Sequence, residues 1–522
     1  MTFYVNDIFL PVNHHIDDVY SLAIKKSGVA KDNIKNICVR KKSVDARGND
    51  VKFVYSVSIT LFNKVKLKKD SKIVIPKDYS IEINCKLNKN ERPIIVGLGP
   101  AGLFCAYLLV LYGIKPIIFE LGKPVDERIK DVDLFFQKGI FNKNSNVQFG
   151  EGGAGTFSDG KLTTRINDTR CNFVLETFHK FGADENILYE SHPHIGTDKL
   201  THIIKKIREF IVENGGEVHF ESEVCDLLCD VKGIKGVVLK NGEKVFSRKV
   251  VLAVGHSSRK MFELLKNKNI LMEKKPFSVG VRIEHLRDFI DEKRYGKYAG
   301  HKNLGSAEYQ FSKRENNRGC YTFCMCPGGQ VIASNSEENM VVTNGMSKSD
   351  RLDINSNSAV VASVLPEDLD SDIMSGVYYQ KKLEKLAYEY GGKDYIAPCQ
   401  LSKDFLNDTI STKFYDVKPS YPLGTSFCNF NDIFDKKISD MLKIGLASFD
   451  EKIKGFSYGS AVLTGIETRT SSPLRILRGE NLNSVSISGL YPAGEGAGYA
   501  GGITSAAVDG LRIAQAILEY EN

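Results

Sequence analysis

Six residues, Gly97-Leu98-Gly99-Pro100-Ala101-Gly102, constrain this chain more than any others because of what flanks them. An apolar run beginning at Ile94 reads as a buried strand, PAGLFCAYLLVLYG as a helix, and KPIIFE as a second strand ending at Glu120. That order is a βαβ unit of the kind that holds a dinucleotide. Gly97 permits the tight turn out of the strand, Gly99 lets backbone approach a pyrophosphate, and Gly102 lets helix and sheet pack closely. The anion then sits on the helix N-terminus, beside Pro100 and Ala101, where the free N–H groups past the proline and the dipole favour it. Glu120 stands near the spacing expected of the acid that pairs with ribose hydroxyls. A carboxylate there repels a 2′-phosphate, which argues against NADP in this site. It does not separate FAD from NAD.

A second glycine-rich segment makes that separation. GLYPAGEGAGYAGGITSAAVDGLRIAQAI sets a strand, an acid and a glycine cluster before a helix. In a flavin site Glu495, after Gly494, can accept from a ribityl hydroxyl. The helix N-terminus after Gly501 and Gly502, at Ile503, can face the N1/O2 edge of the ring and stabilise the anionic reduced flavin. This layout resembles the second motif of two-dinucleotide-fold flavoproteins, with Glu where Asp is more usual, so FAD is the expected cofactor. KVVLAVGHSSR, Lys249 to Arg259, resembles the segment that links cofactor and substrate domains in such proteins, with Gly255 at its turn. QFGEGGAGTFSDGKLTTR, Gln148 to Arg165, offers Gly152, Gly153, Gly155 and Thr156 as a loop whose N–H groups approach a ligand. Val224, in EVHFESEVCDLLCD, completes the expected cofactor-binding set.

With GLGPAGLFCAYLL, FGEGGAGTFSDGKL, LAVGHSSR, FSVGVRIEH, FCMCPGGQVIASNSE, ETRTSSPLRI and YPAGEGAGYAGGITSAA in view, the chain resembles the FAD-dependent dehydrogenases labelled "NAD(FAD)-utilising dehydrogenases". The resemblance covers most of residues 92–522, and the N-terminal region is similar to the small domain that family carries. It implies an α/β fold: a Rossmann-like, glutathione-reductase-type FAD domain, an inserted α+β substrate domain and a small N-terminal α/β domain. It does not supply a substrate.

A chain of 522 residues exceeds one hydrophobic core. The expected divisions are an N-terminal domain at 1–88, the cofactor domain at 89–260 and 455–522, and the insert at 261–454. Within 1–88 the pattern predicts a strand, a helix ending at Gly28, and two strands about the turn ARGND. The lysine-rich tract from Asn63 to Lys72 reads as a solvated edge. Residues 161–214 read as mostly helical, three runs from Glu217 to Gly255 as a β-meander, and Asn335 to Ser358 as an exposed polar loop. The excess of 71 basic over 64 acidic side chains is too small for a nucleic-acid footprint. No span of about 20 unbroken apolar residues predicts a membrane helix. The 11 cysteines, an odd and unpaired set, suit reduced thiols in the cytoplasm.

Substrate-facing candidates are Lys161, Arg282 and Arg469. Lys161, with Arg165 on an expected helix start, could hold an anion or polarise a carbonyl. Arg282 and Glu284 share one strand face and His285 takes the other. Glu467 and Arg469 precede the flavin-closing segment, and their mutual pairing is the structural alternative. Cys320, Cys324 and Cys326 read as buried strand cysteines rather than a redox relay, and His192-Pro193-His194 as a loop rather than metal ligands. The expected activity is hydride transfer through flavin N5 to or from a small molecule, with NAD(P)H as transient reductant. A tRNA-modifying flavoprotein and a protein with purely structural FAD are the competing readings. The oligomeric state is open.

Overall fold

The computed structural model describes residues 1–48, 50–65, 72–73, 81 and 83–519; most of the lysine-rich tract lies outside them. At the N-terminus, strands Ile34–Asp45, Lys52–Leu61, Thr2–Pro11 and Lys72–Ile73 form an antiparallel sheet in that spatial order. Helix Ile16–Ser27 packs Val19 and Ala23 on it. Acids in its first turn, lysines in its last and a left-handed Gly28 after it mark both ends.

The cofactor domain is built on a five-stranded parallel sheet. Its spatial order is Leu490–Pro492, Val250–Leu252, Ile94–Val96, Ile117–Phe119 and Glu217–His219. Helix Pro100–Leu111 is apolar on every side because it is enclosed, packing against helices Ile503–Leu518 and Thr197–Glu213. The latter supplies Leu200, Ile203, Ile204, Ile207 and Ile211 from one helical stripe. The meander is shorter than its sequence pattern. Only Val224–Asp230, Gly233–Leu239 and Lys244–Phe246 form it, while the flanking runs at Glu217 and Val250 enter the parallel sheet. Of residues 161–214, Arg170–Lys180 and Thr197–Glu213 are α-helical, and Lys161 is not on a helix but in an isolated bridge with His194.

The inserted domain centres on seven strands in the order Ser312–Glu315, Arg318–Cys326, Asn355–Val364, Phe277–Leu286, Val462–Glu467, Ala397–Leu401 and Thr425–Phe427. All pairs are antiparallel except the last. Two expected boundaries move. Helix Arg259–Asn267 packs Met261, Phe262 and Leu265 into the cofactor-domain core, so 260/261 is too early. Val462–Glu467 belongs to the insert's sheet, so 454/455 is too early as well. The two chain crossings pair with one another, Met272–Lys274 against Leu474–Ile476, as a ribbon between the domains.

The stretch 335–358 is not an exposed loop. Asn335, Ser336, Thr343, Ser347 and Asn355 to Ser358 are buried, and part of the stretch is strand. Its polarity is spent on internal hydrogen bonds: Asn355 to Glu284, Asn357 to Arg282, Ser356 to the Gly328 N–H and Ser358 to Tyr309. Among the described residues no helix is long and apolar enough to cross a membrane.

Candidate functional site

The crevice at the carboxyl ends of the parallel strands is where an open α/β sheet binds its ligand. Two cavities occupy it and share Gly97, Glu120, Phe149, Val254 and Ser257 as walls. One runs past Phe119, Glu120 and Val224. The other passes Gly99, Pro100 and Ala101, then Gly153, Gly155, Gly255 and Glu495, and ends at Gly501, Gly502 and Ile503.

The glycines have physical reasons. Gly97 adopts φ +97°, and a Cβ there would collide with the Ala253 carbonyl. A Cβ on Gly102 would strike the Gly97 carbonyl, so Gly102 shapes the turn without lining the cavity. The second glycine loop stacks on the first, with a Cβ built on Gly153 reaching within 3.0 Å of Gly99 Cα. Gly152, Thr156 and Gly494 are likewise packing residues rather than lining ones for this groove. Gly255, Gly501 and Gly502 face open space, and helix Ile503–Leu518 starts where the sequence places it.

Glu120 is held firmly. Its Oε2 accepts from the Leu98 N–H at 2.8 Å, and its Oε1 from the Gly122 and Gly150 N–H groups at 3.0 Å each. A carboxylate has about four acceptor sites, so one remains for a ribose hydroxyl. The Gly150–Gly155 loop hangs on Arg128 and Arg208, which belong to no motif. Buried Arg128 donates to the carbonyls of Asn146, Val147 and Glu151, and its guanidinium covers the Phe157 ring at 4.9 Å. Burial lowers the Arg128 pKa to about 10. Fully buried Glu151 pairs with Arg208 at 2.9 Å.

At the far end the cavity meets the insert through Phe323, Cys324, Met325, Cys326, Asn344, Glu467 and Arg469. Lys161 lines it too, donating to the Met325 carbonyl and standing 3.6 Å from Glu308. Glu308 also pairs with His192 and with Arg351, which reaches Asp159. The strand pairing of Lys42 with Tyr189 and Ser191 ties the N-terminal domain to the segment just before His192.

Arg282 does not line the cavity. It is fully buried behind the wall, bonded to Glu467, the Cys324 carbonyl, Asn357 and Asn344. Burial pulls its pKa down, and Glu467 more than offsets this, so the guanidinium stays charged. Its role is to hold Glu467 in place. Arg469 therefore pairs elsewhere, with Glu384, while also donating to Ser257 and Ser336. Glu384, fully buried, takes a second guanidinium from Arg259, which also reaches Glu337. This Arg–Glu–Arg cluster stitches the cofactor domain to the insert, and no local pattern announced it.

His285 points away from Arg282, donating from Nε2 to the Phe456 carbonyl at 2.7 Å and stacking on Phe289. Burial lowers its pKa to about 4. A strand irregularity between Phe323 and Cys326 separates the cysteines. Cys324, at φ +42°, is exposed in the cavity, whereas Cys326 is buried and its thiol is pushed up to about 12. Cys320 packs in the insert core. His192 and His194 sit in the loop before helix Thr197–Glu213, as expected.

Residues 276–470 match the family model "FAD-dependent protein, C-terminal domain-like", and residues 3–60 match "Domain of unknown function (DUF8436)". An uncharacterized protein of Clostridium beijerinckii is 44% identical over 529 residues, covering 99% of each chain. The chain belongs to that protein's family. Two remote structural likenesses accompany it. A geranylgeranyl bacteriochlorophyll reductase-like protein of Thermoplasma acidophilum has 13% identity and a TM-score of 0.37 over 82% of this chain and 78% of its own. A glycerol-3-phosphate dehydrogenase of Bacillus halodurans complexed with FAD has 11% identity and a TM-score of 0.35 over 82% and 64%.

Proposed function

We propose that this chain is an FAD-dependent oxidoreductase acting on a small molecule at the junction of cofactor domain and insert, with NADH or NADPH as transient reductant. The observation that carries the reading is the groove itself. It begins at an acid and Val224, passes a glycine turn at one helix N-terminus, and ends at a second helix N-terminus under the insert. The lining fits FAD: Glu120 as acceptor for the ribose, the N–H groups around Gly99 and Ala101 as donors for the pyrophosphate, Glu495 as acceptor for the ribityl chain, and Gly501 to Ile503 for the ring. When bound, FAD supplies a two-electron hydride carrier at N5.

The chain's own residues then do three things. The N-terminus of helix Ile503–Leu518 favours negative charge at the ring edge. Lys161 offers N–H groups toward the substrate end, where they can orient an anionic or carbonyl oxygen. The insert covers the groove through Phe323 to Cys326, limiting water. The match of 276–470 to an FAD-dependent domain supports the same reading. Purified protein should carry flavin absorbance, or acquire it from added FAD, and anaerobic NADH or NADPH should bleach it. Protein that neither carries nor takes up FAD would end the proposal. Bound flavin that neither nicotinamide reduces would end its reductant half.

A further inference from the structure

His256 lies in KVVLAVGHSSR, just past the end of the parallel strand Val250–Leu252, and it lines the ring-side cavity. Its side chain is 9% exposed. Among the described residues lining that cavity, it alone has a buried side-chain nitrogen, Nε2, with no hydrogen-bond partner. A buried polar atom left without a partner is costly, and ligand sites are where such atoms are tolerated. Its other nitrogen, Nδ1, stands 3.5 Å from Glu495 Oε1. The remaining nearby carboxylate, Glu467, is already engaged by Arg282.

We propose that His256 is a cofactor-contacting residue that accepts a hydrogen bond from a ribityl hydroxyl through Nε2, while Nδ1–H faces Glu495. The inference rests on the FAD reading above. In the tautomer that places the N–H on Nδ1, toward Glu495, Nε2 presents a lone pair to the cavity. An acceptor selects a hydroxyl: phosphate oxygens cannot donate. Position agrees with chemistry. Gly255, the residue before, faces open space, and the Glu495–Gly496 loop packs on the Gly255 backbone. His256 therefore lines the same cavity as Gly97, Gly99, Gly501 and Gly502, beside Glu495, where it could meet a ribityl hydroxyl of bound FAD. Glu495 and His256 together would read two hydroxyls of the ribityl chain.

The test is FAD titration of the full-length protein stripped of flavin, followed by quenching of flavin fluorescence. Wild type is compared with His256→Asn, which reaches only the Nδ1 position, and His256→Gln, whose amide oxygen can accept near Nε2. The Asn variant should bind FAD about tenfold more weakly and the Gln variant within about threefold of wild type, as one hydrogen bond warrants. Thermal melting of the flavin-free Asn variant should match wild type, because the deleted nitrogen has no partner there. Among 2′-, 3′- and 4′-deoxyribityl FAD analogues, one should weaken wild-type binding about tenfold and leave the Asn variant no worse than with FAD. Equal losses for Asn and Gln, or an additive loss with every analogue, would overturn the contact. A fall in flavin-free stability matching the loss of affinity would make His256 a scaffold residue instead. Failure of wild type to bind FAD would strike the FAD reading itself, so the two failures are distinguishable.

Discussion

Glu384 is the most exacting place to test how the two domains are held together. Its carboxylate is fully buried and lies between Arg259, at 2.7 Å, and Arg469, at 3.0 Å. Burial alone would raise its pKa. The two guanidiniums overrule burial and hold it at about 2, against an ordinary value of 4.5. At 1.36 kcal/mol per tenfold difference, that separation corresponds to about 3 kcal/mol of stability at neutral pH. The range for breaking a buried ion pair, roughly 3–5 kcal/mol, gives a consistent figure. Glu384→Gln keeps the shape and removes the charge. Urea unfolding at pH 7 should therefore show a loss of about 3 kcal/mol. The sign of the pH dependence follows from a folded pKa below the unfolded one. The contribution is complete above about pH 4.5 and is lost as pH falls through about 2, with roughly half left near pH 3. Wild type and variant should thus converge in acid. A loss under about 0.5 kcal/mol at pH 7, or a gap that does not narrow in acid, would refute the reasoning.

Three shorter predictions accompany it. Gly97→Ala forces a side chain onto a left-handed backbone and against the Ala253 carbonyl, so the protein should purify without flavin, read from its visible spectrum. Lys161→Met should retain flavin and its rate of nicotinamide reduction, while turnover with enone or quinone acceptors falls about a hundredfold in stopped-flow reoxidation. His285, whose pKa burial lowers from 6.5 to about 4, resists protonation only when folded, so its contribution to stability falls as pH drops from 6.5 toward 4. His285→Phe should flatten the decline in melting temperature across that window and leave the activity–pH profile unmoved.

The cofactor half was legible because its constraints are local. The turn at Gly97, the approach at Gly99 and the packing at Gly102 act within one βαβ unit, and the helix after Gly502 begins where its glycines end. Arg259, Glu384 and Arg469 were not legible as a cluster, since 210 positions separate the first from the last and pairing leaves no periodicity. The same applies to Arg128, whose three carbonyl partners are set by a loop's shape rather than by any motif. Residues 335–358 misled for a definite reason. Serine and asparagine usually mark solvent, but here they complete the hydrogen bonds of buried Arg282, Glu284 and Tyr309.

The buried polar residues of 335–358 point to how the substrate end is built. The chain enters the insert after Met272–Lys274 and leaves it into Leu474–Ile476, and these two segments pair antiparallel. Residues flanking the ribbon on the insert side must therefore lie at the domain junction. Val462–Glu467 is the strand that returns the chain to that junction, and it delivers Glu467, Arg469 and Thr470 to the cavity wall. Arg282, on the outgoing strand Phe277–Leu286, is its neighbour in the sheet and fixes Glu467 from behind. The catalytic polarity of the insert is thus expected close to its two crossings, with its distant strands and helices serving to hold them. Substitutions at the sheet edge, such as in Thr425–Phe427, should change stability before they change turnover.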